Sequence, residues 1–151
     1  MSIKEAVWVH GTGFEVEFPQ LLDSYVRRGW GIHYWGKENT FNWFHIPITT
    51  PVIINDARPN LVKAFVLFKT TGWTKVKNIH LYDGIQKVLD LNGLSLSGNN
   101  ESSLTASNTF TLNPPKTIRY GLGISVGVEF GPHDSSGYPE ILFTTAGADF
   151  A

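Results

Sequence analysis

Apolar and polar residues alternate along most of this chain with the two-residue period of extended backbone, in which successive side chains point to opposite faces. The alternation is clearest at 122–130. Leu122, Ile124, Val126, Val128 and Phe130 form one face, and Gly121, Gly123, Ser125, Gly127 and Glu129 lie opposite. At 41–48, Phe44, Ile46 and Ile48 oppose Phe41, Trp43 and His45; at 5–10, Val7 and Val9 oppose Trp8 and His10. At 74–82, Ile79 and Leu81 oppose Asn78, His80 and Tyr82. The recurring split predicts an aliphatic interior and a second face rich in Trp, Tyr and His. Further strands are predicted at 14–18, 30–35, 52–54, 61–70, 87–91, 109–112, 117–130 and 141–145, separated by Gly, Pro, Asn and Asp.

Only residues 19–28 carry helical spacing. Leu21, Leu22, Tyr25 and Val26 share a face, Arg27 and Arg28 follow, and Gly29 supplies a stop, which predicts a short helix or helical turn. Segments 97–108 and 132–139 read as surface loops. With no repeat or linker, the pattern predicts one domain over residues 1–151, an antiparallel, jelly-roll-like β-sandwich.

Glycines inside a strand cost conformational entropy and pack nothing, so Gly121, Gly123 and Gly127 call for something lying close to bare backbone. An aromatic ring covering them is the first expectation, a neighbouring chain or a ligand the others. Aromatic side chains with polar tips suit surfaces that are half apolar and half wet. Such a face fits sugar stacking, a small-molecule pocket or a subunit interface, whereas in a barrel the same rings would be core.

Composition narrows the partners. The 151 residues hold 12 Lys+Arg and 13 Asp+Glu, a net charge of −1, which gives no broad basic footprint for nucleic acid. Lys63, Lys69, Lys75 and Lys77 near Trp73 could track single-stranded nucleic acid, but lysines on strands also guard sheet edges, and that reading is preferred. Cysteine is absent, which excludes disulfides, zinc-thiolate sites and cysteine nucleophiles. No basic stretch precedes an apolar one at the N-terminus, and no apolar run is long enough to cross a bilayer. A cytoplasmic protein without a membrane partner is expected. The sequon Asn100-Glu101-Ser102 therefore carries little weight.

Motif chemistry is sparse. His10, His45 and His80 lie on comparable faces by parity, but no His-x-His or His-Glu-x-x-His spacing enforces a metal site, so none is assigned. Asp90-Leu91-Asn92-Gly93 matches only the start of a calcium loop and reads as a turn. Val9-His10-Gly11-Thr12-Gly13 looks like an esterase oxyanion loop, yet the candidate elbow Gly93-Leu94-Ser95-Leu96-Ser97 lacks its last glycine and a strand–turn–helix context. Glu15 and Glu17 read as a solvated face. Glu129 could act as an acid or base on the floor of an aromatic pocket, or pair with a Lys or Arg at a sheet end.

Asn42-Trp43-Phe44-His45, Thr50-Pro51-Val52-Ile53, Gly121-Leu122-Gly123-Ile124-Ser125 and Ala146-Gly147-Ala148-Asp149-Phe150 resemble a group of small bacterial all-β single-domain proteins. The resemblance implies one compact β domain and brings no activity, cofactor or catalytic residue with it.

Together these readings predict a non-catalytic binding or assembly module. A carbohydrate or other small molecule would stack on Trp8, Trp35, Trp43 and Tyr82, with His10, His45 and His80 supplying hydrogen bonds and Glu129 as a further ligand-binding residue. Self-association through the same face would make a homo-oligomer. The alternatives are a small β-barrel cyclase, isomerase or lyase using a His/Glu pair in an aromatic pocket, and a purely structural subunit. No cofactor is called for.

Overall fold

The computed structural model describes residues Met1–Ala151. Twelve strands form: β1 Glu5–His10, β2 Glu15–Val16, β3 Leu22–Arg28, β4 Gly31–Gly36, β5 Thr40–Ile48 and β6 Asn60–Thr71. They continue with β7 Thr74–Asp83, β8 Gln86–Leu91, β9 Asn99–Asn100, β10 Thr109–Thr117, β11 Leu122–Phe130 and β12 Glu140–Phe150. All pairs are antiparallel. The first sheet runs β10-β6-β12-β4-β3, with β1 beside the second half of β12 and β9 beside β6; the second runs β2-β5-β11-β7-β8.

From β4 onward the chain passes repeatedly between the sheets, broken by the β7–β8 hairpin and the short β9. This makes a jelly-roll-like sandwich. The two-residue alternation is its cause. The inward positions of β5 (Phe44, Ile46, Ile48) and β11 (Leu122 to Phe130) are buried, and they meet Ile141 and Phe143 of β12 with Leu61, Ala64 and Val66 of β6 in one core of 27 residues. Each large aliphatic or aromatic side chain removed from water there contributes about 1.5–3 kcal/mol.

Predicted boundaries move where tertiary pairing overrides the local pattern: the strand at 109–112 extends to Thr117, the loop 97–108 contains the short β9, and three further segments change. The helical segment 19–28 keeps only one 3-10 turn, Pro19–Leu21; its remainder is β3, since β4 presents an open ladder from Gly31 to Gly36 and Tyr25 and Val26 suit a strand. Segment 117–130 is not one strand. Asp83 of β7 accepts the backbone N–H groups of Arg119, Tyr120 and Gly121 at 2.9, 2.8 and 3.1 Å, and this bends the chain before β11. Residues 52–54 form no strand, only the isolated bridge between Ile54 and Ala57.

The lysine-bearing strands β6 and β7 lie inside their sheets, so Lys63, Lys69, Lys75 and Lys77 do not guard an edge. Asn100 of the sequon is buried, its amide held by the carbonyl of Ser97 and its Oδ1 by the Thr105 hydroxyl. No helix is long and apolar enough to cross a membrane.

Candidate functional site

Pairing registers place the outward side chains of the second sheet in rungs. Ser125 of β11 lies directly between His45 of β5 and His80 of β7, and His80 in turn faces Asp90 of β8. One rung therefore runs His45–Ser125–His80–Asp90 across four strands. Trp43 stands one step along β5 and Tyr82 one step along β7 on the same outer face. With Glu17, just past β2, they bound an open cleft of about 280 Å³ lined by Glu17, Trp43, His45, His80, Tyr82 and Ser125.

The polar atoms of the cleft are ordered as two linked sets. Glu17 Oε1 is 2.9 Å from His45 Nε2, and His45 Nδ1 is 2.8 Å from Ser125 Oγ. A carboxylate only accepts, so in the neutral imidazole Nε2 carries the proton and Nδ1 accepts from the Ser125 hydroxyl. On the other side, His80 Nε2 donates to Asn92 Oδ1 at 2.7 Å and to Asp90 Oδ1 at 2.9 Å. Asn92 also accepts from Asn78 and donates to Asp90, so the turn after β8 serves as the anchor of His80. The Asn92 amide, with Lys87 and His80 behind it, holds the Asp90 carboxyl below its ordinary value against a smaller desolvation effect. Trp43 tilts over the His80 ring, with centroids 4.9 Å apart, and meets Phe41 edge-on at 5.6 Å.

The glycines of β11 divide the roles expected of them. A Cβ on Gly127 would lie 2.6 Å from Asn78 Oδ1 and 2.8 Å from Phe41 Cζ, so a ring does cover that backbone. A Cβ on Gly123 would meet nothing within 4 Å. The backbone beside Ser125 is therefore covered on one side and bare on the other.

Of the eight candidates, Trp43, His45, His80 and Tyr82 come together in this cleft. Glu129 is on the same face but two rungs away, exposed and opposite Lys75 in register. Trp8, His10 and Trp35 belong to the first sheet, on the far side of the sandwich. Trp8 stacks on Phe65 at 4.9 Å over Gly147, and His10 Nδ1 caps the turn at Gly11–Gly13 by accepting from the Thr12 backbone N–H and lying 2.9 Å from its hydroxyl. Trp35 donates to Glu140 at 2.8 Å and stacks with His33 at 3.8 Å. Strand parity tells which face of a sheet a residue takes but not which sheet its strand joins, and this separates the two groups. No group of three or more His, Asp or Glu side chains is arranged to hold a metal ion.

Two cleft residues escaped the sequence reading. Glu17 reads as a solvated carboxylate because its partner His45 is 28 residues away. Ser125 was legible: Gly123-Ile124-Ser125-Val126-Gly127 spells G-x-S-x-G, but within an extended strand instead of an elbow.

Fold and cleft define a two-sheet antiparallel sandwich with an aromatic and histidine-lined depression on one outer face. The chain belongs to the DUF6623 family, a family of unknown function whose model matches residues 2–140. No curated protein matches it. Among solved structures, an exo-β-1,3-galactanase from Phanerochaete chrysosporium, determined with galactose, is similar over 97% of this chain at 8% identity and a TM-score of 0.44; this chain spans 30% of that protein. A family 29 carbohydrate-binding module from Piromyces equi is similar over 95% of this chain and 90% of its own, at 11% identity and a TM-score of 0.36.

Proposed function

We propose that this protein is a binding module for a small polyhydroxylated molecule, a sugar, held in the cleft on the second sheet. The observation that carries the reading is the His45–Ser125–His80 rung set between Trp43 and Tyr82. Sugar rings present an apolar C–H face and a rim of hydroxyls. The Trp43 and Tyr82 rings offer surface to the first, while Glu17, His45, Ser125 and His80 offer donors and acceptors to the second. The cleft is open and shallow, which suits a module that holds its ligand reversibly at a surface.

The test is a titration of the whole chain with a panel of neutral mono- and oligosaccharides, followed by calorimetry and by the NMR signals of Trp43 and Tyr82. Binding is expected at millimolar concentration or tighter. Trp43→Ala is expected to weaken it about tenfold or more, as loss of an aromatic contact of about 1.4 kcal/mol would, with the circular dichroism spectrum unchanged. If no sugar moves either ring's signals, or if Trp43→Ala unfolds the chain, the reading fails.

A further inference from the structure

We propose that Ser125 is a nucleophile toward carboxylic esters, with His45 as its general base and Glu17 as the group that orients His45. Activation of a serine requires a base within hydrogen-bond reach and a third group fixing that base. Both distances are met: 2.8 Å from Ser125 Oγ to His45 Nδ1, and 2.9 Å from His45 Nε2 to Glu17 Oε1. The proton inventory is also consistent, since Glu17 fixes the tautomer that leaves Nδ1 free to accept.

Access to the serine is built into β11. Residues two positions either side of Ser125 on the outer face are glycines, and Gly123 leaves its side bare to 4 Å. Ser125 itself is 9% exposed, on the floor of the cleft, next to the open backbone of Gly123. Ile124 and Val126 on either side of it are packed into the core, at 1% and 0% exposure, and anchor this stretch of β11.

The step balances with water as co-reactant. Ser125 Oγ forms a bond to the ester carbonyl carbon as its proton passes to His45 Nδ1. The carbon–alkoxide bond then breaks and the alkoxide leaves with that proton. Water attacks the acyl carbon, gives a proton to His45, and releases the carboxylic acid as the Ser125 hydroxyl is restored. The backbone amides of β11 lie in its ladders with β5 and β7, so this rung has no free pair of amides for the oxyanion. Turnover is accordingly slow, and formation of the covalent adduct is the sensitive readout.

That the alcohol of the ester is a sugar rests on the binding reading above; the chemistry of Ser125 does not. The experiment incubates the full chain with an alkyl fluorophosphonate, which phosphonylates activated serines with loss of fluoride, and locates the adduct by peptide mass. One adduct, on Ser125, is expected. Ser125→Ala should take none, His45→Gln should slow labelling about 100-fold or more, the low end of general-base contributions, and Glu17→Gln should slow it by less. No adduct on Ser125, or equal labelling rates in the parent and His45→Gln, overturns the proposal. Labelling without sugar binding would sustain the serine chemistry and remove the sugar; sugar binding without labelling would do the reverse.

Discussion

The two outer faces of the sandwich use the same residue types to opposite effect. On the first sheet, Glu140 of β12 accepts from Trp35 at 2.8 Å, from Thr71 at 2.8 Å and lies 3.2 Å from His33 Nε2, while Trp8 closes over Phe65. Glu140 there is taken up by three protein partners, and Trp8 and Trp35 each stack on a neighbouring ring. On the second sheet, Trp43, His45, His80 and Tyr82 surround a middle strand that contributes a serine between two glycines. Where the central strand supplies a long carboxylate, the face becomes a closed brace. Where it supplies almost no side chain, a cleft remains. The difference lies in β11 and β12, not in the rings that flank them.

The strongest way to break this contrast is Glu140→Ala. It leaves the part-buried Trp35 indole N–H and His33 without their acceptor, while the exposed Thr71 hydroxyl turns to water, so a loss of about 1–3 kcal/mol in urea unfolding is expected, with sugar binding in the opposite cleft unchanged. A loss below about 1 kcal/mol would show that the brace holds little.

Gly127→Ala and Gly123→Ala sharpen it within one strand. The first pushes a methyl against Asn78 and Phe41 and should cost about 1–2 kcal/mol; the second enters open space and should change stability by less than about 1 kcal/mol, in the stabilising direction, while weakening ligand binding at the cleft floor. Equal effects from the two would mean that the cleft is not open at Gly123.

The smallest expected effect is on pH dependence. Burial holds His33 below the ordinary imidazole value of 6.5, outweighing the opposing pull of Glu140. The unfolded chain therefore binds this proton more readily than the folded one. The contribution of neutral His33 is fully present above 6.5 and is lost as pH falls through the lower folded value. Unfolding titrations of the parent and His33→Gln should differ in slope between the lowered folded value and 6.5 and run parallel above 6.5.

Periodicity alone determined most of the strands, the inward set of β5 and β11, and the presence of an outward aromatic and histidine face, because alternation is a property of each strand by itself. It also marked Trp43, His45, His80 and Tyr82 as residues of one kind. Which of the outward rings share a sheet, why 22–28 is a strand, where β11 begins, and that Glu17 and Ser125 complete a chain of hydrogen bonds with His45 were decided by the tertiary structure. Those outcomes depend on pairing between segments, from the β3–β4 hairpin to Glu17 with His45 and Glu140 with His33, 28 and 107 residues apart, and a pattern read along one strand contains nothing about its neighbours across the sheet.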